Sequence, residues 1–81
     1  MRIKQIPELW KKGYQGKTPK NSFSTDGINL YSYNLKIGYT DDHGQKILLN
    51  YTVSSGNFRS HTTSRHVNLA AYYADVFLTP S

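Results

Sequence analysis

Two alternating runs of side chains flank the turn-forming segment Asp41, Asp42, His43 and Gly44, and this arrangement most narrows what the chain can fold into. In the first run Tyr33, Leu35, Ile37 and Tyr39 share one parity, with Asn34, Lys36 and Gly38 on the other. In the second, Ile47, Leu49, Tyr51 and Val53 oppose Lys46, Leu48, Asn50 and Thr52. A period of two marks half-buried strands, and a short polar connection at 41–44 joins them as an antiparallel hairpin. Ile28 and Leu30 have the opposite parity to Leu35 and Ile37, so a bulge or bend near Tyr31 to Tyr33, or two separate strands, has to absorb the slip.

Helical signals bracket this sheet. Pro7 and Glu8 suit the first turn of a helix, Leu9 and Trp10 give it an apolar side, Lys11 and Lys12 suit its negative end, and Gly13 can close it in a left-handed conformation. Two turns do not persist alone, so Trp10 is expected to anchor them. Residues 15–22 show no apolar periodicity and read as a loop. Toward the C-terminus Arg65, Asn68, Tyr72, Asp75 and Thr79 recur at steps of three and four as the polar stripe of a longer helix, with Ser60, Thr62 or Thr63 as its cap. The expected fold class is α+β: a short N-terminal helix, a two- to three-stranded antiparallel sheet and a C-terminal helix packed on it.

An 81-residue chain makes one domain, 1–81. Ile, Leu, Val and Phe supply 18 residues, enough for a thin core and too few to enclose a large active site. Without cysteine there is no disulfide framework, thiolate metal site or cysteine nucleophile. No apolar run reaches the roughly 20 residues of a membrane span, and Met1 to Lys4 do not lead into a signal core, so a soluble, cytoplasmic protein with no membrane partner is expected.

Charge is the informative part of the composition. The net charge of +5 lies within residues 1–20, a basic N-terminal arm carrying Arg2, Lys4, Lys11, Lys12, Lys17 and Lys20 against Glu8, while the rest of the chain is balanced. Clustered cations raise a positive potential that attracts polyanions. A second cationic group, Arg59, Ser60, His61, Thr62, Thr63, Ser64, Arg65 and His66, falls where the C-terminal helix starts. Free backbone N–H groups there already favour an anion. Arg59, Thr62, Thr63, Ser64, Arg65 and His66 are therefore candidate phosphate contacts, together with Lys11, Lys12, Lys17 and Lys20. Plain helix capping explains the hydroxyls equally well, but not the cations.

Tyr31, Tyr33, Tyr39 and Tyr51 fall within the sheet, where an open face can stack bases, with Lys36 and Lys46 interleaved. Tyr31 has the better claim to exposure, subject to the bulge; the other three share parity with the apolar residues and read mostly as core or rim. His61 and His66 with Arg59 and Arg65 are also the ingredients of a small metal-independent ribonuclease, although no spacing signature supports it. Asp41, Asp42 and His43 read as a turn rather than a metal site, and Asn50, Tyr51, Thr52 as a chance match to a glycosylation acceptor. No catalytic residue, metal or cofactor is assigned.

The phrase Leu30, Tyr31, Ser32, Tyr33, Asn34, Leu35, Lys36, Ile37, followed downstream by Thr62, Thr63, Ser64, Arg65, His66, resembles a family of small bacteriophage-encoded proteins. Those carry an S-Y-x-T/L-x-I phrase and a T-T-S-K/R-H phrase, and the likeness covers roughly residues 25–68. The resemblance implies an accessory protein acting in the host cytoplasm and supplies no catalytic residue. Taken with the charge, it leads to a non-enzymatic module that binds nucleic acid, with an inhibitor of a host bacterial protein as the alternative and a small ribonuclease as a weaker one. The oligomeric state does not follow from the sequence.

Overall fold

A computed structural model describes residues 2–51 and 61–78, with the backbone only at His61. Helix α1 (Gln5–Lys12) is followed by strands β1 (Gln15–Lys17), β2 (Phe23–Asp26), β3 (Leu30–Ser32), β4 (Leu35–Thr40) and β5 (Lys46–Leu49), then helix α2 (His61–Ala71) and strand β6 (Val76–Leu78). The strands form one six-stranded mixed sheet in the order β1-β2-β3-β4-β5-β6. Neighbours are antiparallel as far as β5, and β6 runs parallel to it. The class is α+β as expected, but the two- to three-stranded sheet is corrected to six.

The N-terminal helix forms as its residues dictate. Gly13, at φ 83°, closes α1 in the left-handed region, where its N–H reaches the Trp10 carbonyl, and that of Tyr14 reaches Leu9. Ile6, Pro7 and Trp10 are buried, so the helix docks and residues 5–17 belong to the fold rather than to a free arm. The slip of parity resolves as two separate strands: Tyr33, at φ 56°, turns β3 into β4, and the β3–β4 register shifts between Leu30 and Tyr31. The hairpin connection is held by Asp41, whose Oδ1 accepts the N–H groups of His43 and Gln45, with Gly44 at φ 80°.

Three strands depart from expectation, beginning with β2 at Phe23–Asp26, a stretch that reads as neither strand nor helix. Residues 15–17 are strand rather than loop, because β2 supplies a hydrogen-bonding partner that local periodicity does not announce. The C-terminal helix stops at Ala71, and Val76–Leu78 become an edge strand. Asp75 makes the break: its N–H reaches the Lys46 carbonyl at 2.8 Å while its Oδ2 accepts the Lys46 N–H at 2.8 Å. Thr62 and Thr63 lie inside α2, so neither is its cap; Ser60 lies outside the described residues.

Both helices cover the same face of the sheet. Phe23, Leu30, Ile37 and Leu48 meet Ile6 and Trp10 of α1 and Val67 and Ala70 of α2 in one buried cluster. The Trp10 indole lies over Gly38, where an added Cβ would stand 3.0 Å from the ring, and its Nε1 donates to the Ile28 carbonyl at 3.0 Å. No described helix is long and apolar enough to cross a membrane.

Candidate nucleic-acid interface on the open sheet face

Alternation along β2 decides which side chains remain outside. Phe23 and Thr25 are buried beneath the helices, so Ser24 and Asp26 point to the opposite face. The register then aligns a row across four strands: Lys17 opposite Ser24, Ser24 opposite Tyr31, and Tyr31 opposite Lys36. Strands lie about 4.8 Å apart, which sets Lys17 and Lys36 roughly 14 Å from each other on either side of the tyrosine. Both lysines are exposed, Tyr31 is half-buried, and among the described residues neither lysine has an ion-pair partner.

A cleft of about 530 Å³ opens at this row, lined by Gln15, Gly16, Lys17, Ser24, Thr25, Asp26 and Tyr31. Its acidic member is committed to the β2–β3 turn. Asp26 Oδ1 accepts the N–H groups of Ile28 and Asn29 at 2.9 and 2.7 Å, and Oδ2 accepts the Asn29 amide at 3.2 Å. The Asn29 N–H foremost, helped by the Ile28 N–H and the Asn29 side-chain amide against the cost of burial, holds the Asp26 carboxyl below its ordinary 3.8, so it stays ionised at neutral pH.

The other expected contacts are distributed differently. Lys11 pairs with Asp75 at 3.4 Å and Lys12 with Glu8 at 3.2 Å, so half of the four arm lysines singled out are engaged on the surface. Lys20 is exposed in the turn before β2. Lys46 is on the helix-covered face rather than the open one: it is buried, its Nζ donates to Thr40 Oγ1 at 2.6 Å, and it lies 5.6 Å from the Trp10 ring centre. Tyr51 is buried, Tyr39 half-buried and Tyr33 exposed at 53%.

The start of α2 is turned inward. Thr63, Ser64 and His66 are exposed by only 4, 8 and 2%, which takes them out of reach of an external phosphate. Ser32 Oγ lies 3.1 Å from Thr63 Oγ1 and 2.8 Å from His66 Nδ1, and the imidazole stacks on Phe23 with centroids 4.1 Å apart. Burial, and then the charge of Arg65, push the His66 pKa below 6.5. The imidazole is thus held inside the fold by Ser32 and Phe23. Thr62 and Arg65 are exposed on the helix layer, away from the Lys17–Lys36 row, while Arg59 and the side chain of His61 lie outside the described residues.

Sequence reading expects Tyr31 to be the more exposed of the sheet tyrosines, whereas it is half-buried and Tyr33 is the exposed one. Lys17 and Lys36 are 19 positions apart, and only strand register shows that they flank one ring. Among the described residues no group of three His, Asp or Glu is placed to hold a metal ion. Comparison of the chain with protein-family models, with curated proteins and with solved structures finds no match.

Proposed function

We propose that this protein is a non-enzymatic module that binds single-stranded nucleic acid on the open face of its sheet, as a phage-type accessory protein in a bacterial cytoplasm. The observation that carries this reading is the row Lys17, Ser24, Tyr31, Lys36 on a face that neither helix covers. An aromatic ring gives a base a stacking platform, and lysines on both sides of it attract the backbone phosphates. Their separation of roughly 14 Å is several times the ~3.4 Å rise of a stacked nucleotide, so the pair brackets a run of nucleotides rather than one phosphate. Lys20 extends the positive field.

Fluorescence anisotropy with a labelled oligonucleotide of about ten nucleotides tests the reading. Tyr31→Ala is expected to weaken binding by about tenfold, since base–aromatic stacking contributes about 1–3 kcal/mol. Unchanged affinity in that variant ends the proposal.

One observation favours the second reading, an inhibitor docking on a host protein. Tyr72, Phe77 and Leu78 are exposed by 87, 53 and 42% around the edge strand β6. Such an apolar contact would hold as salt is raised from low to physiological concentration, whereas phosphate binding falls steeply.

A further inference from the structure

The cleft beside Tyr31 holds one group that does not serve phosphate binding. Asp26 puts a carboxylate on the same face as Lys17, directly opposite Gln15 in the β1–β2 register. A carboxylate offers about four acceptor positions. Two on Oδ1 take the Ile28 and Asn29 N–H groups and one on Oδ2 takes the Asn29 amide, and Asp26 itself stays exposed where it lines the cleft. Because the turn already fixes the side chain, little conformational freedom is lost when a ligand donor meets it.

We propose that this cleft selects bases carrying an exocyclic amino group, with the Asp26 carboxylate accepting that amino hydrogen while the ring stacks on Tyr31. The inference rests on the single-strand reading above and adds base choice to it. Cytosine presents an amino donor at its position 4, where uracil and thymine present a carbonyl oxygen that a carboxylate repels. Gln15, whose amide both donates and accepts, stands across from Asp26 to meet the neighbouring ring positions. A volume of about 530 Å³ accommodates a nucleotide, being within the usual range of small-ligand sites.

The test uses the full chain and four oligonucleotides of equal length at one salt concentration: oligo-C against oligo-U in the ribo series, and oligo-dC against oligo-dT in the deoxyribo series. Cytosine is expected to bind about five- to tenfold more tightly within each series, and the tighter series identifies RNA or DNA as the source. Asp26→Asn keeps a side-chain carbonyl for the Ile28 and Asn29 N–H groups, so the melting temperature is expected to hold while the preference shrinks to about twofold or less. Equal binding of C and U or T by the unmodified protein overturns base selection without reference to any variant, as does a preference that survives Asp26→Asn; the single-strand reading stands in both cases. Absence of binding to all four oligonucleotides overturns both.

Discussion

The hydroxyl of Ser32 stands 2.8 Å from Nδ1 of His66, tying the third strand to the first turns of the second helix across 34 positions of sequence. Phe23 stacks beneath the imidazole, Thr63 shares the hydroxyl, Arg65 raises the local positive potential, and Tyr33 closes the rim with its ring centre 6.4 Å away. The hydroxyls and cations that suggest an anion site in the sequence thus divide: the hydroxyls join the core, and Arg65 stays in solvent.

That burial makes stability depend on pH. With the folded-state pKa of His66 below 6.5, the unfolded chain takes up the proton first as pH falls through 6.5, and stability declines until pH passes the folded value. Thermal unfolding is expected to show a falling melting temperature between about pH 7 and pH 5, before the carboxylates titrate. His66→Gln, which keeps a hydrogen-bonding end for Ser32 but does not ionise, should flatten the profile; a wild-type-like slope in that variant would assign the effect elsewhere.

Trp10 fastens α1 to the sheet through its buried ring and its hydrogen bond to Ile28. Trp10→Ala is expected to cost about 3–5 kcal/mol, measured by denaturant unfolding. For a domain of this size that is a large share of the total stability. A loss under about 1 kcal/mol would mean that residues 5–12 contribute little to the folded state.

Gly27, at φ +97°, brings the β2–β3 turn against the end of α1, where an added Cβ would stand 2.6 Å from the Gly13 carbonyl oxygen. Gly27→Ala therefore combines a disfavoured conformation with a backbone clash and should destabilise by about 2 kcal/mol or more. Gly44→Ala, with a similar φ and nothing within 4 Å, isolates the conformational part and should cost less. Equal melting temperatures for the two variants would contradict the close approach.

Replacing Lys17 and Lys36 together by Ala should lower the slope of log affinity against log salt by about two units, one for each lost phosphate contact. Arg65→Ala, on the helix layer, should leave the slope unchanged. The reverse result would move the polyanion contact from the open sheet face to α2.

Much of the local structure could be read from residue order. Pro7, Glu8, Trp10 and Gly13 specify α1 within one short stretch, and Asp41 with Gly44 specifies the hairpin turn, because caps and turns are satisfied by near neighbours. Strands β1, β2 and β6 were not legible, β2 because Phe23–Asp26 offers a single large apolar residue. Gln15–Lys17 has no apolar alternation, and Val76 and Phe77 continue a helical spacing, so pairing with β2 and β5 alone makes them strands.

The sequence by itself determined the α+β class, the docked Trp10 helix, the central hairpin and the excess of positive charge, all properties of neighbouring residues or of composition. Tertiary structure alone decided the number of strands, the inward turn of Thr63 and His66 toward Ser32, and the alignment of Lys17, Ser24, Tyr31 and Lys36 on one open face. The physical reason is that a strand's hydrogen bonds and a buried polar group's partner come from distant parts of the chain, and a shift of register by one residue reverses the face each side chain occupies.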